Sequence, residues 1–379
     1  MNKRVIYKHL ILFISLLFTS FILSACQKDL GYQYGEKQML VNVWKDKIIY
    51  NETVVLEDNG SEISGKLLFT PTEIISVRDY TLDKEYDPKE YEIRDNTLIR
   101  TDVSTMPYLT SEQLAGKNLP EEYAFSTYQA KAPGTQIIFT EGIGIVMHQI
   151  AVTYKHASTW AGITPAHQAD ALARFTKKIN AGEAVNVVLY GDSISTGANA
   201  SGILGIKPYL DDFGTLFTNY IQDKYDSEVS LINTAKGGML ASWGKDNVDT
   251  LVNDYNPDLV IIGFGMNDGS LGVSPLTYRE HIEFMIRSIQ SRHPVADIIL
   301  IQTIYANPLS IQNQGQKNYL VELEALKDQY GVALLDMGSI TEELYKTKKG
   351  VDILANNINH PSDFLVRIYA AGLIRVLEG

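Results

Sequence analysis

Ser193 sits in the stretch Val187 to Ser201, VVLYGDSISTGANAS, where apolar and β-branched residues run directly into Gly191-Asp192-Ser193. A serine hydroxyl is inert near neutral pH, so it becomes a nucleophile only beside a base, with donors waiting for the oxyanion it creates. Three later stretches carry suitable residue types. Gly237-Gly238 follows Asn233, Asn267 stands in Gly265-Met266-Asn267-Asp268, and His360 stands in Asn359-His360-Pro361. A glycine lets backbone N–H groups approach a substrate closely, and an asparagine amide donates without titrating. Together these types suit acyl transfer from an ester, with Ser193 as nucleophile and His360 as base. Asp192 reads more simply as the side chain that holds the turn.

Such residues need a scaffold that brings four distant stretches to one place. After Thr164, apolar runs alternate with helical candidates: AVNVVLY, EVSLIN, PDLVIIGFG, ADIILIQTI and GVALLDM, with helices expected over 277–291, 316–330 and 361–377. Near-continuous apolar strands separated by helices predict a parallel sheet covered on both faces. In such folds sites form beyond the carboxyl ends of strands. Ser193, Gly238 and Asn267 each follow one of these strands closely, and that shared placement says more than any of the tripeptides alone.

The four stretches resemble, in order, the blocks of the SGNH hydrolases, the GDSL esterase and lipase superfamily, over 164–379. The resemblance implies a flavodoxin-like three-layer α/β domain with a five-stranded parallel sheet. It also implies Ser193 as nucleophile, His360 as general base, and an oxyanion hole formed by the Ser193 N–H, the Gly238 N–H and the Asn267 amide. No cofactor is implied. One position departs from the family, which places an aspartate three residues before the histidine; here it is Asn357. The sequence leaves three arrangements: a Ser-His dyad with the imidazole N–H given to a backbone carbonyl, or a carboxylate recruited from Asp352 or from Asp363. The dyad is the first expectation, with Asp363 read as a helix cap.

The rest of the chain reads differently. Over 39–163 the runs KIIYNETVVLE, GKLLFTPTEIISV, NTLIRTDV and TQIIFTEGIGIVMHQIAVTY are rich in β-formers separated by turn residues, which predicts a β-sandwich-like accessory domain without chemistry of its own. The first 26 residues read as an export signal: Lys3, Arg4 and Lys8 precede the apolar run 10–23, too short to span a bilayer, and Leu23-Ser24-Ala25-Cys26 resembles a lipoprotein lipobox. Cys26, the single cysteine, is the expected lipidation site, with 27–38 as a tether. The expectation is an exported protein anchored by lipid to the outer face of a bacterial membrane. A net charge of -12 argues against a nucleic-acid partner. The seven histidines lack metal-ligand spacing, so no metal is expected. Secreted SGNH enzymes with an added β-sandwich resemble carbohydrate esterases, so an acylated carbohydrate or other small ester is the expected substrate, with Trp243 as a candidate sugar platform. The alternatives are a lysophospholipase or short-chain lipase, an acyltransferase, and, from another class, a surface carbohydrate-binding protein that no longer turns over.

Overall fold

The computed structural model describes residues 32–379, so the export signal, Cys26 and the start of the tether lie outside the described residues. The first half is built from ten short strands: β1 (Ile48–Val55), β2 (Glu57–Asp58), β3 (Ile63–Lys66), β4 (Pro71–Arg78), β5 (Tyr91–Arg94), β6 (Thr97–Arg100), β7 (Leu109–Thr110), β8 (Ser126–Gln129), β9 (Gln136–Phe139) and β10 (Gln149–His156). They form a three-stranded antiparallel sheet, β1-β10-β4, a five-stranded sheet, β5-β6-β3-β2-β7, and the hairpin β8-β9. Val54, Leu67, Val77, Leu98, Ile150 and Val152 are all buried in one core. Two of the expected strands are broken. GKLLFTPTEIISV divides at Pro71 into β3 and β4, because proline cannot donate to a ladder from mid-strand. TQIIFTEGIGIVMHQIAVTY divides into β9 and β10, and the Gly142 region, which reads as β in the sequence, is a turn followed by the 3-10 helix Val146–His148.

The second half holds the expected parallel sheet: β11 (Val185–Gly191), β12 (Val229–Asn233), β13 (Leu259–Gly263), β14 (Asp297–Gln302) and β15 (Ala333–Asp336), in the order β12-β11-β13-β14-β15 and parallel throughout. Its main helices are α1 (Ala173–Asn180), α2 (Phe213–Tyr225), α3 (Ala241–Leu251), α4 (Pro275–Arg292), α5 (Leu320–Tyr330), α6 (Met337–Leu344) and α7 (Asp363–Glu378). Alternate strand residues face opposite layers, as the pleat requires. Val188, Tyr190, Val260 and Ile262 pack with residues of α3, α4 and α5, whereas Val187, Leu189 and Ile261 pack with α1, α2 and α7.

The second of these cores runs on without a break into that of the first half. Helix α7 lies at the junction and is buried nearly throughout. Its Arg367, 1% exposed, donates to the carbonyls of Gln38, Tyr50 and Asn51. Lys348 and Glu52, wholly buried, form a 2.6 Å ion pair that also joins the halves. Buried backbone carbonyls and charges need such partners, because leaving one unpaired costs about 1–3 kcal/mol or more. Among the described residues, no helix is long and apolar enough to cross a membrane.

Candidate active site

Strand β11 ends at Gly191, whose Cβ, were there one, would lie 2.4 Å from the carbonyl oxygen of Gly263 on β13. Only glycine allows the two strand ends to close in this way. Beyond it, Asp192 Oδ1 accepts the Ile194 N–H at 3.0 Å, forming the turn that presents Ser193. Asn233, at the end of β12, donates to the Ser195 carbonyl at 2.8 Å and ties the second stretch to this turn. Asp192 is fully buried, its Oδ2 has no partner among the described residues, and burial pushes its carboxyl up to about 7.

His360 stands in a tight loop before α7. Asn356 Oδ1 accepts the N–H groups of Ile358, Asn359 and His360 at 2.9, 3.0 and 3.0 Å, which fixes the loop. His360 Nε2 then lies 3.0 Å from Ser193 Oγ, and both residues are 8% exposed. On the other side of the ring, Nδ1 lies 2.5 Å from Asn199 Oδ1. Asn199 holds φ at 65°, a left-handed conformation that asparagine tolerates, and its Nδ2 donates to the Glu141 carbonyl at 2.9 Å. That bond fixes the amide's orientation. With Nδ2 committed to a carbonyl, Oδ1 must face the imidazole and accept Nδ1–H, which leaves the Nε2 lone pair directed at the serine hydroxyl.

The expected oxyanion donors keep protons available for a ligand. Among the described residues, the N–H groups of Ser193 and Gly238 have no hydrogen-bond partner, so both can serve a ligand. Gly238 is exposed, with φ at +77° and nothing near its Cβ position. A Cβ on Gly237 would lie 3.8 Å from that of Ser193, which places this loop against the serine. Asn267 donates one amide proton to the Met239 carbonyl at 3.0 Å, holding its side chain beside the Gly238 loop with a second proton to spare. Beneath it, buried Asp268 accepts the Ala241 N–H at the start of α3, and burial pushes its carboxyl up to about 6.

The structure corrects the expectations for the group behind His360. Nδ1 meets a side-chain amide rather than a backbone carbonyl. Asn357 turns away, at φ 65°: its Nδ2 donates to the Ile138 carbonyl and its Oδ1 accepts from Asn307, both at 2.8 Å. Asp352 accepts the N–H groups of Val55 and Lys349 at 2.8 and 2.7 Å, so it braces the junction of the two halves. Asp363 is the first residue of α7 and accepts the Ser201 N–H at 2.9 Å; it does not cap its own helix. Burial raises the carboxyls of both aspartates. The carboxylate that does approach the ring is Glu141, with Oε2 3.3 Å from Nδ1. A hydrogen bond from the imidazole, helped by its charge when protonated, holds the Glu141 carboxyl below the usual range despite partial burial. Asn199 has a faint signal in the sequence, as the polar residue that ends the turn after the serine. Glu141, from the other half of the chain, has none.

A serine hydroxyl aligned with an imidazole of fixed tautomer, at the carboxyl edge of a parallel sheet, defines a nucleophilic serine-histidine site on a flavodoxin-like scaffold. Residues 189–364 match the model of the GDSL-like lipase/acylhydrolase family. No curated protein matches the chain in sequence. Among solved structures, a two-domain esterase active on acetylated mannans is similar at 21% identity and a TM-score of 0.47, covering 56% of this chain and 54% of its own. This chain thus spans about half that protein's length. An acetylxylan esterase from Geobacillus stearothermophilus is 18% identical over 52% of this chain and 96% of its own, with a TM-score of 0.44. A lipase/acylhydrolase from Enterococcus faecalis is 25% identical over 50% of this chain and 94% of its own, with a TM-score of 0.41.

Proposed function

We propose that this protein is a serine ester hydrolase that removes small acyl groups, acetyl above all, from carbohydrates through an acyl-enzyme. The observation that carries the reading is the 3.0 Å contact between Ser193 Oγ and His360 Nε2, with the tautomer set from behind by Asn199. In the first half-reaction Oγ bonds to the acyl carbon as its proton passes to Nε2. The carbonyl oxygen becomes an anion facing the Ser193 and Gly238 N–H groups and the Asn267 amide. When the anion collapses, the bond to the alcohol oxygen breaks and Nε2 returns the proton to it. Water then repeats the sequence and frees the acid. Each donor aimed at the oxyanion is worth about 3 kcal/mol in the transition state.

A carbohydrate as the alcohol fits the rim. Lys236 and Gly237 are exposed, Asn267 and Asn359 are half-buried, and the Glu141 side chain is 60% exposed, so the open side is polar. Trp243 is a poor platform, because its ring packs on Tyr190 and Phe264 with Lys236 over it. Hydrolysis of p-nitrophenyl acetate, and acetate release from acetylated oligosaccharides, test the reading. Wild-type turnover that Ser193→Ala abolishes supports it, and an inert wild type refutes it. We further propose that Cys26 is lipidated and holds the mature protein on the outer face of a bacterial membrane. Membrane partition that Cys26→Ser abolishes is the expected result.

A further inference from the structure

The acyl-transfer step needs more from His360 than a lone pair. When Nε2 takes the Ser193 proton the ring becomes a cation, and its formation is favoured by a fixed negative charge near Nδ1. The family motif offers an aspartate three residues before the histidine, but Asn357 is neutral here and turned toward Ile138 and Asn307. Asn199 orients the ring and carries no charge. Besides Glu141, the carboxyls next in the chain to the two reacting residues are Asp192, beside Ser193, and Asp363, three residues after His360. Asp192 is directed at Ile194 N–H and Asp363 at Ser201 N–H, and burial raises the carboxyls of both, which weakens them as anions. Glu141 remains, with Oε2 3.3 Å from Nδ1 and a carboxyl held low by that same imidazole.

We propose that Glu141, supplied by the N-terminal β half, is the anionic partner of His360, and that the work of the missing aspartate is divided between two residues. Asn199 sets the tautomer through the shorter bond, and Glu141 stabilises the imidazolium by charge. Glu141 exchanges no proton in this scheme; it is a positioning residue that acts through the histidine. The inference rests on the ester-hydrolase reading above.

The placement of the residue is fixed by packing. Glu141 follows β9 in a turn closed by the Gly142 N–H, which donates to Thr140 Oγ1 at 2.9 Å. Ile145, farther along the loop, is fully buried with Val55, Leu109, Ile138 and Val351, so the loop is anchored on both halves. The Glu141 carbonyl receives Asn199 Nδ2, so one residue supports the imidazole twice, by its backbone through Asn199 and by its carboxylate directly. His148, at the loop's far end, bonds to the Gly144 carbonyl and does not enter the cluster.

Because the Glu141 side chain is 60% exposed, its charge is partly screened by water and acts far more weakly than a buried one would. Glu141→Gln keeps the size and hydrogen-bonding capacity and removes only the charge. The expected result is a loss of about tenfold in kcat, with KM changed less than about twofold, and an effect that shrinks in about 1 M salt. The acid limb of kcat/KM should move to lower pH in the variant, since an imidazole without a nearby anion gives up a proton more readily. NMR titration of the His360 ring in both proteins reads the same displacement without any turnover. Superimposable ring titrations in wild type and Glu141→Gln overturn the inference even if the protein is an esterase. A wild type inert toward esters refutes the hydrolase reading while the ring titration still decides the electrostatic one. Glu141→Asp serves where Gln impairs folding, with partial retention of the wild-type pH profile expected and an unretained profile counting against the inference.

Discussion

Two turns reach His360, one after β11 and one between β9 and β10, and they are built on different terms. The turn from Asp192 to Asn199 leaves the central region of a parallel sheet, is paid for by regular backbone bonds on either side, and carries a compact motif. The turn from Thr140 to His148 interrupts what reads as a single β run and is held by the Thr140 hydroxyl, by backbone bonds from Met147 to Ile143 and from His148 to Ile145, and by buried Ile145. The first presents Ser193 and, through Asn199, orients His360, and the second brings the Glu141 carboxylate to the same ring. The reactive groups and the amide that orients them thus sit where the fold repeats a general rule, while the charged group beside the ring comes from a loop whose course follows from distant packing.

Removing the reactive ends of this pair should have the largest effect. Ser193→Ala and His360→Ala should each lower kcat/KM by at least about 10³-fold with the fold retained, and the double variant should lose little more, because both abolish one covalent step. Additive losses, measured in initial rates on p-nitrophenyl acetate, would break the assignment to a shared step.

The supporting residues come next. Asn199→Ala frees the tautomer and should cost about 10²-fold or more in kcat. Asn267→Ala should cost about 10²- to 10³-fold in kcat with little change in KM, since its spare proton is proposed to serve the oxyanion. If Asn199→Ala kept full activity, the first turn would present Ser193 without orienting His360, and the ring would be held from elsewhere.

A smaller effect tests the family motif directly. Asn357→Asp restores the usual aspartate, yet it should not raise activity, because the side chain points at the Ile138 carbonyl, to which a carboxylate cannot donate. A loss of about 1–3 kcal/mol in denaturant stability is expected instead. A gain in kcat would show that the residue can turn to the ring.

The smallest effect concerns the floor of the first turn. Burial holds the Asp192 carboxyl at about 7, above the ~3.9 of an unfolded chain, so the folded state binds the extra proton between those values. Its contribution to stability is therefore full below about pH 4 and lost as pH rises through about 7. Asp192→Asn keeps an acceptor for Ile194 and should flatten the fall in Tm across that window. Asp268 acts in the same direction with its carboxyl at about 6, so a residual slope is expected.

Much of this arrangement is legible in the sequence because regular structure is encoded locally. The runs from AVNVVLY to GVALLDM are strands within a residue or two of their expected ends, and the expected helix over 277–291 is α4, Pro275–Arg292. Ser193 and His360 follow from residue type and placement. The partner of Nδ1 does not. Asn357, Asp352 and Asp363 are near His360 in the chain, yet each is claimed by a backbone group or amide of a distant segment: Ile138 and Asn307, Val55, or Ser201. Glu141 is hidden for the same reason. Ile138 and Ile145 enter one small core, which forces the chain to turn between them, and β propensity over TQIIFTEGIGIVMHQIAVTY gives no sign of that turn.

Helix α7 has a consequence in time. The ribosome delivers β1, β4 and β10 first, and α7 emerges about 200 residues after β10, a delay on the order of 10 to 40 s at about 5–20 residues per second. Until then the carbonyls of Tyr50 and Asn51 lack Arg367, and His360, just ahead of α7, has not joined Ser193. The nascent chain thus carries Ser193 through the next 167 residues without His360 beside it, and the pair can meet only after all five strands of the parallel sheet have been made.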